Sequence, residues 1–126
     1  MRYLKIIRPF NILIAILCVF LISYMKFEDF NMIISFYSSM VILCYMAAGN
    51  ILNDFNDINV DKINKPHRIL TQNQVNKLYI FIWIIFLFIS GSTFSLYLPI
   101  KAQQIAIFLA MPGIILYEVY FKRLPL

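Results

Sequence analysis

The sequence predicts an all-α fold, a polytopic transmembrane helical bundle, and three observations carry that expectation. Of its 126 residues 62% are hydrophobic and 13% charged, with a mean hydropathy of +0.79, outside the range of ordinary soluble domains. The apolar residues gather in four long runs, at about 9–25, 30–53, 78–100 and 102–120, of which only the last holds a charge, Glu118. The eleven Lys and Arg sit at the ends of these runs and form no single exposed stripe, so the net charge of +5 reflects membrane topology and not nucleic-acid binding. The length allows four spans in one membrane domain, with short loops and no separate soluble domain.

Met1 to Arg8 carries Arg2, Lys5 and Arg8 among apolar residues, which suits an interfacial helix that delivers the chain into the bilayer. Pro9 is acceptable at a helix start, where its missing N–H would be unpaired anyway. The uncharged run from Pro9 to Met25 is at the lower limit for a span, with Asn11 as its strongly polar group near the start. A basic start before an apolar stretch also fits a signal peptide. Ser23-Tyr24-Met25-Lys26 offers no small-residue cleavage site, however, so the run is expected to remain as the first span.

Lys26 to Asp29 reads as an outer loop, and the run that follows is long enough to cross with some tilt. Ser35, Ser38 and Ser39 in it suit helix packing, and Gly49 suits the close approach of a neighbouring helix. Residues 54–77 form a polar motif loop whose last part, Ile69 to Lys77, reads as a linker that could cover a site. The third run has Tyr79 and Tyr97 as interfacial anchors near its ends and Trp83 one turn inside the first. Lys101 marks a tight turn begun by Pro99, and Pro112 is expected to kink the fourth run. Cys18 and Cys44 fall in mid-run, and no disulfide framework or zinc pattern is present. Arg2, Lys5, Arg8, Lys62, Lys65, Arg68, Lys77, Lys122 and Arg123 fall on one side, against Lys26 and Lys101 on the other, which predicts that both ends and the motif loop are cytoplasmic.

The chemistry concentrates in Asn50 to Arg68, NILNDFNDINVDKINKPHR. If the helix of the second run continues through it, Asn50, Asp54, Asp57 and Asp61 lie within an arc of roughly 60° at about 100° per residue. Three carboxylates on one face repel, the more so near lipid, and call for a cation. Asparagine and carboxylates are hard oxygen ligands suited to Mg²⁺, which shares its remaining sites with waters and a substrate phosphate. Lys62, Lys65 and Arg68 could hold the phosphate's other oxygens. The spacing alone is equally compatible with a solvated juxtamembrane helix whose Asp and Lys residues pair locally. An EF-hand loop is excluded: counted from Asp54, position 6 is Asn59 and position 12 is Lys65.

Asn53, Asp54, Asp57 and Asp61 spell N-D-x-x-D-x-x-x-D, and Asn64, Pro66 and Arg68 spell N-x-P-x-R directly after it. Together they resemble the first aspartate-rich motif of the UbiA superfamily of intramembrane prenyltransferases, at the place where that family has it, after the second membrane helix. Arg8-Pro9-x-Asn11 resembles the family's N-terminal entry, and Tyr117 with Lys122 and Arg123 the end of its fourth helix. The resemblance implies transfer of an isoprenoid chain from a prenyl diphosphate to a lipophilic acceptor. That acceptor is an aromatic ring, as in quinone and haem pathways, or a glycerol-phosphate lipid hydroxyl. It implies Mg²⁺ on Asp54, Asp57 and Asp61, and substrate contacts from Asn11, Asn50, Asn53, Lys65, Arg68, Tyr117 and Lys122. Aromatic faces, Tyr117 and Tyr120 by position, would stabilise the allylic cation.

Three departures qualify the resemblance. The family's basic position four residues after Tyr117 is Phe121 here, and the first Lys is Lys122. His67 stands before Arg68, where a carboxylate is common, and reads as an exposed loop residue. The family's fold has nine helices and a second motif, D-x-x-x-D, on the opposite side of the site, whereas no acidic pair follows Asp61 here. The chain is therefore expected to be an N-terminal fragment of such an enzyme, four spans of nine, inactive without a C-terminal half. The alternative is a non-catalytic membrane subunit that binds a basic partner through its acidic face. An ion transporter fits less well, because the acidic residues lie at the membrane boundary and not at its middle.

Overall fold

The structure, a computed structural model, describes residues 4–25, 31–64 and 76–123. Every secondary-structure element among them is helical. A short helix α1 (Leu4–Ile7) turns at Arg8 into α2 (Pro9–Met25), followed by the long α3 (Met32–Asn56) and a short α4 (Ile58–Asn64). Helix α5 (Lys77–Ser95) leads through a turn at residues 96–98 to one continuous rod, built of α6 (Ile100–Gln104), a π-helical stretch (Ile105–Ala110) and α7 (Met111–Val119). A 3-10 turn, Phe121–Arg123, closes it.

Local chemistry sets these limits. The Asn31 side chain caps α3 by accepting from the N–H groups of Ile33 and Ile34 at 3.0 and 3.1 Å, and Asn76 caps α5 by accepting from Leu78 N–H at 2.9 Å. The third apolar run does not stay helical to Ile100: α5 stops at Ser95, and Pro99 opens the next helix, where it has no N–H to lose. Within the last rod Met111 N–H reaches back five residues to Ala106 C=O. Pro112 follows at once, so the π-helical turn absorbs the break in the hydrogen-bond ladder that a mid-helix proline makes.

Helix α3 is the hub, with α1, α2, α5 and α7 all packed on it. Its buried face is built from small residues as much as large ones: Ser35, Ser39, Ala47 and Ala48 alternate with Val41, Cys44, Tyr45 and Ile51. Opposite them on α5 lie Ile80, Ile84, Leu87, Phe88, Gly91 and Ser95. Between apolar helices in lipid, where water supplies no drive, backbone approach through such small residues is what gains dispersion contact. The serines satisfy their hydroxyls within their own helix, Ser39 on Ser35 C=O at 2.8 Å and Ser35 on Asn31 C=O at 3.0 Å. Across the seam the hydroxyls of Tyr45 and Ser92 are 3.0 Å apart, and at the far end Tyr37 stacks on Tyr97 with ring centres 4.6 Å apart.

Three rods, α3, α5 and Ile100–Val119, are long and apolar enough to cross a membrane. Helix α2 has 17 residues, about 26 Å at 1.5 Å each, a little short of the roughly 30 Å hydrocarbon core. The outward faces of α2, α5 and the last rod expose Leu17, Leu21, Phe81, Phe86 and Phe108, which only a lipid-like or protein environment would cover. The protein is an integral membrane protein.

Gly91 is the tightest point of the α3–α5 seam, since a Cβ there would stand 2.5 Å from the Tyr45 ring. Gly91→Ala is expected to destabilise the fold by about 1–3 kcal/mol through overpacking. Gly113→Ala, whose Cβ would meet nothing within 4 Å, should be neutral or slightly stabilising. Unfolding titrations of both variants in mixed micelles measure the difference.

Candidate functional site

The predicted unbroken helix through the acidic motif is interrupted. Helix α3 ends at Asn56, and Asp57 takes φ −88° and ψ 2°, outside the helical well, before α4 begins at Ile58. Asn56 and Asp57 are residues whose short polar side chains compete with helical backbone bonding, which is a local reason for the break. The ladder is nearly continuous all the same, with Asp57 N–H on Asn53 C=O at 3.0 Å and Asp61 N–H on Asp57 C=O at 2.8 Å. The three carboxylates meet different surroundings. Asp54 turns to the α1–α2 corner, Asp57 turns to the end of the last rod, and Asp61 is buried in the first turn of α4 with 6% of its surface exposed.

Each of the first two carboxylates meets a cation. Arg8 Nη2 donates to Asp54 Oδ1 at 2.8 Å, and Lys122 Nζ donates to Asp57 Oδ2 at 2.5 Å. Asn53 stands between the pairs: its amide nitrogen donates to Asp54 Oδ1 at 3.3 Å, and its amide oxygen accepts from Lys122 at 2.5 Å. One network therefore runs from Arg8 through Asp54, Asn53 and Lys122 to Asp57. Lys122 also lies 3.6 Å from Glu118 Oε2, an ion-pair distance too long for a hydrogen bond.

Arg8 holds a left-handed backbone, φ 56°, which a non-glycine residue adopts at a cost of about 1–3 kcal/mol. The corner is fixed on both sides. Asn50 on α3 donates to Ile7 C=O at 2.9 Å, and Arg8 C=O accepts from Asn11 N–H at 3.0 Å to start α2. Asn50 thus positions the corner that delivers the Arg8 guanidinium to Asp54. At the other end Asn56 donates to Glu118 C=O at 3.1 Å and ties α7 to the end of α3.

Beside this network lies a cavity of about 500 Å³. Arg8, Asn50, Asn53 and Glu118 give its polar part, and Tyr45, Met46, Leu109, Ala110, Ile114 and Tyr117 its apolar and aromatic part, with Gly49 and Gly113 completing the wall. A Cβ on Gly49 would press on Ile114 at 3.1 Å, so this glycine lets α7 come close to α3 at the cavity. The π-helical turn supplies Leu109 and Ala110 to the same wall. A cavity with an apolar body and a charged mouth suits an amphiphile with an anionic head.

Of the residues singled out in the sequence, Asn50, Asn53, Asp54, Asp57, Tyr117 and Lys122 gather here. Tyr117 lines the cavity while 58% exposed. Asn11 is exposed and is not part of the cavity wall, and Tyr120 is exposed beyond it. Lys65 and Arg68 lie outside the described residues, as does His67. Arg8, Tyr45 and Glu118 were not predicted as site residues. Glu118 had a readable signal, a carboxylate inside an otherwise apolar run. Arg8 was visible as part of the Arg8-Pro9-x-Asn11 entry motif without a role in the site, and Tyr45 as one of eight tyrosines.

Among the described residues no three His, Cys, Asp or Glu side chains are grouped as a metal site. The donor chemistry nonetheless fits a small hard cation, because Asn53 Oδ1 and Asp57 Oδ2 already converge on one positive centre, the Lys122 ammonium.

Helices of membrane length with a cavity between them define a polytopic membrane protein. Residues 12–126 match the UbiA prenyltransferase family, and the chain belongs to that family. Among curated proteins it is 32% identical over 124 residues to the digeranylgeranylglyceryl phosphate synthase of Methanococcus aeolicus, covering 96% of this chain and 42% of that protein. It is 30% identical over 125 residues to the protein of the same name from Methanospirillum hungatei, covering 98% of this chain and 44% of that one. The chain thus spans less than half the length of these relatives. No solved structure matches it.

The Arg8–Asp54 pair spans two helices and is partly buried, so it should contribute measurably. A double-mutant cycle with Arg8→Met and Asp54→Asn, read by unfolding in micelles, is expected to give a coupling of about 1 kcal/mol. A value near zero would show that the pair does not help to hold the corner.

Proposed function

We propose that this chain builds the diphosphate-binding side of a Mg²⁺-dependent membrane prenyltransferase, which moves an isoprenoid chain from a prenyl diphosphate to a lipophilic acceptor. The observation that carries the reading is the cavity: its apolar and aromatic wall meets Arg8 and Asn53, two members of the network that continues to Asp54, Lys122 and Asp57. A prenyl chain would lie along Met46, Leu109 and Ile114 with its head at the network. The names of the relatives favour an acceptor of the glycerol-phosphate type over an aromatic ring.

Asp54 and Asp57, with Asn53, would hold the metal ion, and Asp61 would support it from α4. Mg²⁺ supplies positive charge to the departing diphosphate. Arg8 and Lys122 would donate charge-assisted hydrogen bonds to the same oxygens, joined by Lys65 and Arg68 from the segment that follows α4. The carbon–oxygen bond to the diphosphate breaks, and its electron pair leaves with the diphosphate. The allylic cation left behind would be stabilised by the ring faces of Tyr45 and Tyr117. The acceptor hydroxyl oxygen then bonds to that carbon and releases its proton.

The charge count of nine against two supports a cytoplasmic site, which a soluble cation could reach. The carboxylates here make one side of the metal–diphosphate site, so the chain alone is expected to give no turnover without a C-terminal half. The alternative, an acidic face offered to a basic partner, has less support, because Asp54 and Asp57 already meet Arg8 and Lys122 and Asp61 is buried.

In a protein completed by the second half of a relative, Asp54→Asn or Asp57→Asn is expected to lower turnover by at least two orders of magnitude, with membrane insertion unchanged. Transfer of a radiolabelled prenyl group to an extractable lipid product measures it. Wild-type turnover in either variant would remove the metal-binding role.

A further inference from the structure

Glu118 sits in the last turn of α7, where the helix dipole is negative and a carboxylate is disfavoured. Only 9% of the residue is exposed, and its Oε2 is buried without a hydrogen bond. A carboxylate oxygen so placed lacks the partner that burial normally requires. It lines the cavity, and the nearest positive charge is the Lys122 ammonium at 3.6 Å. That same ammonium is held at 2.5 Å by both Asn53 Oδ1 and Asp57 Oδ2. Oxygens from two helices, two carboxylates and one amide, therefore surround a single cation, and the one on Glu118 is not yet bonded to it.

The geometry points to Glu118 as a further cation ligand: with Asn53 and Asp57 it forms an oxygen site whose place Lys122 keeps until a divalent ion displaces it. This deepens the metal–diphosphate reading above and rests on it. A divalent cation carries twice the charge of the ammonium and prefers carboxylate oxygens at about 2.0–2.2 Å, closer than an ammonium approaches. Binding it would draw the buried Glu118 oxygen into coordination and release the Lys122 side chain. The lysine's flexible stem and three donors then allow it to turn to an incoming phosphate oxygen. Lys122 so offsets one of the two carboxylate charges before loading and part of the diphosphate charge after it.

Mn²⁺ binding to the purified full chain in detergent, read as loss of the free-ion electron paramagnetic resonance signal, tests the assignment without turnover. Glu118→Gln is expected to weaken Mn²⁺ binding about tenfold, within the range for a removed ligand or its support. Lys122→Met is expected to tighten it by a similar factor, a gain that misfolding does not produce. Lys77→Met, which removes an equal charge at the start of α5, should leave affinity unchanged.

Unchanged affinity in Glu118→Gln alongside weakened binding in Asp57→Asn would overturn the role of Glu118 and leave the metal reading standing. Unchanged affinity in Asp54→Asn, Asp57→Asn and Glu118→Gln together would overturn both. If Lys122→Met binds no more tightly than Lys77→Met, the displacement is refuted.

Discussion

Charge neutralisation at the end of α3 is the constraint on which the rest of the structure depends. Carboxylates beside apolar helices are poorly solvated and repel each other, so each needs a cation within reach. The chain supplies those cations from its two ends: Arg8 from the α1–α2 corner for Asp54, and Lys122 from the close of the last rod for Asp57. Asn53 couples the two pairs through the two ends of its amide. Elements 43 to 69 residues apart in sequence are thereby brought to the same helix end, and the cavity forms where they meet.

The membrane-spanning part makes that meeting possible. Small residues on α3 and Gly91 on α5 let the backbones approach, and Gly49 admits Ile114 of α7 near the site. The π-helical turn before Pro112 contributes Leu109 and Ala110 to the cavity wall. Packing and site are linked here by Tyr45. Its ring covers Gly91, its hydroxyl meets Ser92, and its side chain also borders the cavity. A change in the α3–α5 seam is therefore also a change in the site.

Much of the fold was legible because membrane helices are written in long uncharged runs. The ends were less so: α5 stops at Ser95 although the apolar run continues, since hydrophobicity marks burial in lipid and says nothing of where a turn falls. The site was legible as a motif. The arc of roughly 60° assumed an unbroken helix, whereas α3 ends at Asn56 and Asp57 leaves the helical well before α4 begins. Lys122, one position from the expected place after Tyr117, still reaches Asn53 and Asp57, because a 3-10 turn follows α7 and changes the spacing. Arg8 was harder to read, because its part depends on a strained corner that a one-dimensional pattern does not display.

The central claim is that the amphiphile's head meets the network at the end of α3 while its tail follows the cavity between α3 and α7. Photo-crosslinking in native membranes tests it most directly, with a prenyl diphosphate analogue that carries its reactive group on the first isoprene unit and peptide mapping as the readout. Labels on Tyr45, Met46 and the segment from Gly113 to Tyr117, reduced by competing unlabelled diphosphate, are the expected result. Labels confined to the outward faces of α2 and α5, and insensitive to that competitor, would contradict it.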